Sequence, residues 1–133
     1  MTKEFLNPPD FTKGMGVYSP GIKVSVGDSE LIFVTGQVAM DKDRKLVAPG
    51  NFGRQTEFIF ENIKQILAEG GATLEDVVKA TIFVTDMKKY GDVSAVRNKY
   101  FATSKPASTL VEISRTVHDG CEVEIEVIAV KKN

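Results

Sequence analysis

Apolar and polar positions follow two different periods along the chain, and the points where the period changes divide it into elements. Ile22 to Val26 alternates and Leu31-Ile-Phe-Val-Thr35 is a denser apolar run, with Gly27-Asp28-Ser29-Glu30 between them as a turn. This predicts a hairpin. After Thr35-Gly36-Gln37 the apolar character resumes in Val38-Ala39-Met40 as a third strand, until Asp41-Lys42-Asp43-Arg44-Lys45 turns the chain. From Asn51 the period becomes helical: Phe52, Ile59, Phe60, Ile63, Ile66 and Leu67 recur on one side, separated by polar Arg54, Gln55, Glu57, Glu61, Lys64 and Gln65. An amphipathic helix of roughly twenty residues is expected, ended by Gly70-Gly71. Thr73-Leu-Glu-Asp76 reads as a capped short turn. Val77 to Thr85 is nearly all apolar, the pattern of a strand buried on both faces near the sheet centre. Asp86 caps a second helix whose Tyr90, Val93, Val96, Arg97, Tyr100 and Phe101 face the sheet, and Ser104-Lys105-Pro106 stops it.

Two further apolar stretches, Thr109-Leu-Val-Glu-Ile113 and Val123-Glu-Ile-Glu-Val-Ile-Ala-Val130, are short and rich in β-branched residues. Asp119-Gly120 punctuates the polar link between them. Strand alternation puts Ser108, Leu110 and Glu112 on one face, and Glu122, Glu124 and Glu126 on one face of the last strand, joined there by Ile128 and Val130. The three glutamates are either the charged outer side of a half-exposed strand or the floor of a cleft. In a cleft covered by another subunit, one carboxylate would sit partly dry with a raised pKa, as a general acid or base requires. Alternation does not choose among the three. The resulting order, three strands, helix, strand, helix, two strands, is an α+β layer with both helices on one face of a mixed sheet. The other face has no cover within the chain, and its aliphatic content favours burial by identical subunits.

Composition narrows the field. At 133 residues the chain is expected to form one domain, residues 1–133. Its formal net charge of -1 gives no basic field, and no Lys/Arg run is longer than a pair, so nucleic acid is not an expected partner. The single cysteine, Cys121, forbids an internal disulfide, and with one histidine, His118, neither a metal site nor a cofactor is expected. No apolar run approaches the ~20 residues that span a bilayer and no leader is evident, which predicts a cytoplasmic protein without membrane attachment.

The N-terminal segment, with Pro8-Pro9, reads as an irregular lead-in. Gly14, Gly16 and Gly21 surround Tyr18, without the sequence context of a phosphate cradle; a loop closing over a sheet edge, with Tyr18 aimed at a cavity, fits better. Gly36 inside a strand marks either a bend or a close approach, making Thr35 and the Gly36 amide candidate pocket donors. His118 and Cys121 are too close together in a turn, and too unsupported, to be a base and nucleophile.

Taken together, Gly16-Val-Tyr18-Ser-Pro-Gly21, Phe33-Val-Thr-Gly-Gln-Val38, Asn62-Ile-Lys64, Val78-Lys-Ala-Thr-Ile-Phe-Val84, Lys105-Pro-Ala-Ser-Thr-Leu-Val-Glu-Ile113 and Val123 to Val130 resemble the YjgF/RidA (reactive intermediate deaminase) family over nearly the whole chain. The resemblance implies the chorismate-mutase-like α+β fold and a homotrimer around a central barrel, with small-molecule clefts between subunits. It also implies hydrolysis of imines and enamines such as 2-aminoacrylate to a 2-oxo acid and ammonia. Glu124 matches the family glutamate that positions or activates water; Tyr18 and Gly36 are retained. Thr35 stands where the family has serine, Leu110 where it has cysteine and Ser94 where it has asparagine. The arginine that grips the substrate carboxylate is replaced by Ser108, in Pro106-Ala107-Ser108-Thr109. Arg115 is expected to form a structural ion pair, and neither Lys105 nor Arg97 is expected to bring a planar fork to Ser108. Standard imine deamination is therefore expected to be weak. A shifted small substrate with Glu124 as base comes first, a ligand-sensing or partner-binding trimer second and the ribonuclease activity attributed to some relatives third.

Overall fold

The computed structural model describes residues 2–12 and 16–133. Gly14, expected in the loop before Tyr18, lies outside them. Six strands form one sheet, β1 (Lys3–Leu6), β2 (Gly21–Val26), β3 (Ser29–Val38), β4 (Val77–Val84), β5 (Ala107–Glu112) and β6 (Val123–Lys132), and two helices, α1 (Phe52–Glu69) and α2 (Tyr90–Tyr100), complete the fold. The sheet order is β1-β2-β3-β6-β4-β5, and only the β4–β5 pair is parallel. This is the expected α+β arrangement of a mixed sheet with two helices.

Helix α1 forms where the pattern places it because both ends are specified. Asn51 Oδ1 accepts from the Arg54 amide at 3.0 Å, and Gly71 takes a left-handed φ of 76° after the last turn. Its apolar stripe, Ile59, Phe60, Ile63, Ile66 and Leu67, is wholly buried against Ile32, Ile82, Ile125 and Val127 of the sheet. Thr73 and Asp76 exchange the reciprocal bonds of a capping box, as the sequence suggests.

Several expectations are corrected. The lead-in contains a strand: β1 pairs with β2, and Pro8-Pro9 follow it, where no ladder bond is needed. The β2–β3 turn is only Gly27-Asp28, because Ser29 and Glu30 already pair with Val26 and Ser25. Val38–Met40 is not a separate third strand; β3 runs through to Val38, and Met40 makes only an isolated bridge to Leu46. The sheet centre is β3 and β6, since β4 has only β5 beyond it, and β4 buries one face alone, Ala80, Ile82 and Val84, while Lys79, Thr81 and Phe83 on the other are half-buried. Asp86 caps a short 3-10 turn, Met87–Lys89, that leads into α2. The helix ends at Tyr100, four residues short of Ser104, because the Lys105 amide turns back to the Phe101 carbonyl at 3.0 Å and Lys105 adopts a φ of 45°. Val93, Val96 and Phe101 are buried as expected, and Tyr100 stacks on Phe60 at 4.7 Å. Tyr90 stays exposed, with the Arg97 guanidinium 5.8 Å over its ring. Arg115 is exposed and forms no salt bridge with a described residue.

The opposite sheet face has no helix on it. Phe5, Phe33, Val111 and Val130 stand there between 37% and 57% exposed. No described helix is long and apolar enough to cross a membrane.

Candidate functional site

The ladder between β3 and β6 slips between Val34 and Gln37. Val34 pairs with Val127 and Gln37 with Ile125, so Thr35 and Gly36 together oppose Glu126. This is a β-bulge, and it exchanges the faces of the strand: Val34 is buried before it and Ala39 after it, while Val38 joins Glu124 on the open face. Gly36 has a φ outside the left-handed region, so its backbone does not require glycine. Space does. A Cβ at Gly36 would collide with Oε2 of Glu124 and come within 3.0 Å of its carboxyl carbon. The bulge therefore serves as the seat of the Glu124 side chain.

That carboxylate has no hydrogen-bond or ion-pair partner among the described residues. Burial, and then the charge of Glu126, holds it above the usual carboxylate range. It lies in a hollow of about 450 Å³ whose wall includes Tyr18, Thr35, Gly36, Asn62 and His118. Glu122 accepts from the Thr85 hydroxyl at 2.9 Å, and Glu126 faces solvent.

Thr35 is not a free donor, since its hydroxyl donates to Ser19 O at 2.6 Å and its amide to Pro20 O at 2.9 Å. These bonds tie the Tyr18 loop over the bulge. Gly21, which follows, allows α1 close to the sheet: a Cβ there would lie 2.6 Å from Ile66 Cγ2.

Tyr18, Thr35, Gly36 and Glu124 are thus brought together, whereas Ser94, Ser108 and Leu110 lie apart from them in the chain. Ser108 pairs with Ala80 and Leu110 with Ile82, both buried on the helix side, so these two β5 residues share the face opposite Glu124. Glu124 is in register with Phe83 and Phe83 with Val111, which puts Ser108 roughly 14 Å from Glu124 by strand spacing and rise. Leu110 packs against the core. Ser108 lines a second hollow, of about 500 Å³, with Arg97, Asn98, Phe101 and Lys105. Arg97 and Ser108 line this hollow together, while the Arg97 guanidinium donates to Asn98 Oδ1 at 3.1 Å and to the Tyr90 hydroxyl at 3.4 Å rather than to Ser108. Ser94, on α2, donates to Gly91 O at 3.3 Å and lines neither hollow.

Two further residues line the hollow: Asn62, quoted from the sequence only within a helix motif, and His118, set aside as a base for Cys121. Asn62 is only 6% exposed although it sits on a helix with a polar side. His118 reaches the hollow because the link before β6 is fastened at several points. The Thr116 hydroxyl lies 2.9 Å from His118 O and 2.7 Å from Cys121 O, and Gln55, fully buried, donates to Gly120 O at 2.8 Å and accepts from the Glu122 amide at 2.8 Å. Cys121 is buried beneath the link, and burial pushes its thiol pKa up, against a nucleophilic role. No cluster of three His, Cys, Asp or Glu side chains among the described residues is placed to hold a metal ion.

A sequence profile of the family described as Endoribonuclease L-PSP matches residues 12–131. The chain belongs to this family, the YjgF/RidA proteins. A RutC family protein of Pyrococcus abyssi is 39% identical over 132 residues, covering 99% of this chain and 100% of the relative. Among solved structures, a putative endoribonuclease from Thermotoga maritima superposes with a TM-score of 0.86 at 38% identity, covering 99% of this chain and 100% of that one. A protein of the conserved Rid family from Yersinia pestis gives 0.84 at 31%, covering 96% and 98%. In this YjgF/RidA chain, the bulge that seats Glu124 and the strand that carries Ser108 are thus parts of one family fold.

Proposed function

We propose that this protein is a trimeric Rid-type hydrolase acting on an imine or enamine of a small metabolite, with Glu124 as the group that handles the proton of water. The observation that carries this reading is the Glu124 carboxylate itself, seated on the Gly36 bulge without a partner, partly dry and with its pKa raised. A carboxylate in that state accepts a proton from water as the oxygen attacks the C=N carbon. It passes that proton to the nitrogen to give the carbinolamine, then takes the carbinolamine hydroxyl proton and delivers it to the nitrogen as the C–N bond breaks, so that both protons of water leave on ammonia and a carbonyl remains. Tyr18 and Asn62 line the same hollow, which supports a part for them in orienting the polar end of a substrate.

The faces of the sheet support an assembly of identical copies. Ser108 and Glu124 lie on opposite sides of one sheet, so a site using both takes them from different copies. The exposed Phe33, Val111 and Val130 give the open face the apolar character of a subunit contact. Because Ser108 replaces the strand-borne guanidinium of relatives, 2-aminoacrylate is a poor substrate for the unmodified chain. The family description names an endoribonuclease, but a net charge of -1 gives little attraction for RNA.

The test couples the protein to a pyridoxal-phosphate dehydratase that generates 2-aminoacrylate and to a panel of amino-acid oxidase products, following 2-oxo acid and ammonia, with an RNA-cleavage arm alongside. Turnover of at least one imine that falls by about 10²–10⁴ in Glu124→Gln is expected. Turnover that survives Glu124→Gln, or RNA cleavage alone, would refute the reading.

A further inference from the structure

His118 shares the Glu124 hollow, and the hydrolysis described above leaves it without a task. The side chain is half-buried, and its imidazole makes no hydrogen bond or ion pair with a described residue. The backbone that carries it is held firmly instead. The His118 carbonyl accepts the Cys121 amide at 3.1 Å and lies 2.9 Å from the Thr116 hydroxyl. Gly120 completes the turn with a φ of 87°, and a Cβ there would come within 2.6 Å of Leu46 Cδ2, so conformation and space both call for glycine. Behind the turn, fully buried Gln55 donates to Gly120 O at 2.8 Å. A polar link between two strands ordinarily leaves such carbonyls to water. Here a buried threonine and a buried glutamine are committed to them, which sets an uncommitted imidazole on a stiff support.

Imine hydrolysis needs two kinds of proton transfer. Water attacks a protonated C=N carbon more readily than a neutral one, so the nitrogen must gain a proton while the water loses one. A single carboxylate can serve these needs only in turn. An imidazole ordinarily titrates at about pH 6.5 and can hold a proton while a carboxylate beside it has already lost one. The other charged and titratable groups around His118 are Glu124 from β6, Arg44 from the turn after β3 and Tyr18 from the loop before β2, all lining the hollow, with Asp119 and Cys121 beside it in the link.

We propose that His118 is a second catalytic residue of this hollow, the general acid that protonates the imine nitrogen while Glu124 takes a proton from the attacking water. The imidazolium gives its proton to nitrogen and becomes neutral, and water forms the C–O bond as it loses a proton to Glu124. In the carbinolamine the neutral imidazole takes the hydroxyl proton, Glu124 delivers its own to nitrogen, and the C–N bond breaks. Ammonia leaves with the bonding pair, the carbonyl forms, and both side chains return to their starting states. The net transfer is still of two protons from water to ammonia, now shared between two groups instead of carried by Glu124 alone. The inference rests on the hydrolase reading and deepens it.

The experiment measures kcat and KM of the full-length protein, His118→Asn and His118→Ala across about pH 5–9, on whichever imine of the dehydratase and oxidase panel the unmodified protein turns over fastest. The unmodified protein should give a bell-shaped profile. Both variants should lose about 10²-fold, chiefly in kcat, together with the alkaline limb, while the acid limb stays. Added imidazole should restore part of the activity of His118→Ala. Melting should remain near native, because the bonds that fix the link belong to the backbone of His118 and not to its ring. Unchanged turnover, or a fall in turnover that leaves the alkaline limb in place, would overturn the proposal and leave the hydrolase reading standing. Turnover that requires His118 yet survives Glu124→Gln would defeat the role of Glu124 and keep this one; an absence of turnover on every imine would defeat both.

Discussion

Gly36→Ala tests whether the bulge exists to seat Glu124. The substitution leaves the backbone free of strain, since Gly36 is not in the left-handed region, and Gly→Ala at a compatible position stabilises by about 0.4–1 kcal/mol through the unfolded chain. Against this, the new methyl overlaps Oε2 of Glu124 and presses on Cδ at 3.0 Å and Cγ at 3.1 Å. Overpacking in a closed core costs about 1–3 kcal/mol, but here the atoms in the way belong to the end of a rotatable side chain beside an open hollow. The carboxylate turns outward, regains water, and the two effects largely cancel. Net stability should therefore change by no more than about 1 kcal/mol.

Function should change far more. Ordinary contact with the methyl requires the carboxylate to retreat by about an ångström, and a misplacement of that size costs on the order of 10²-fold in rate. Rehydration also lowers its pKa, because desolvation is the first cause of the raised value in the native protein. Thermal melts, ¹³C-detected titration of the Glu124 carboxyl and the imine assay measure the three quantities separately. Near-native melting with a lowered Glu124 pKa, an acid limb of the rate profile shifted to lower pH, and a rate loss of about two orders of magnitude are expected. An unshifted carboxyl with undiminished turnover would refute the role assigned to Gly36.

Gln55→Ala should cost about 1–3 kcal/mol for each backbone group it strands, the Glu122 amide and the Gly120 carbonyl, read as a lower urea midpoint. Hydrogen exchange should quicken across residues 116–122 while α1 stays protected; loss confined to α1 would contradict this. Burial first and the hydrogen bond to Glu61 second push the Tyr100 phenol up to about 12 from 10.0. The unfolded chain then ionises before the folded one, so this residue's contribution is complete below pH 10 and is lost as pH rises from about 10 towards 12. Tyr100→Phe should flatten that part of the alkaline denaturation profile, and an identical profile in the variant would exclude the assignment.

Elements whose signals are local were legible in the sequence. The Gly70-Gly71 stop and the capped turn at Thr73–Asp76 are each written within a few residues, and each forms as read. Pairing between distant segments was less so. The Leu31-to-Thr35 run and Val38–Met40 looked like two strands because a bulge reverses the alternation at Thr35-Gly36, and only the opposing Ile125–Val127 stretch turns that interruption into one strand. β1 was hidden by the prolines that follow it. The polar residues of the site illustrate a further limit. Gln55 falls among the polar positions of α1, yet it is fully buried, because the link before β6 carries carbonyl and amide groups that need a partner there. Arg97 reads as one of the sheet-facing positions of α2, yet its guanidinium lies over the exposed Tyr90 ring. A side chain's chemistry is local, whereas what it faces is decided by strand order. In this fold the strand order places Glu124 and Ser108 on opposite faces of one sheet.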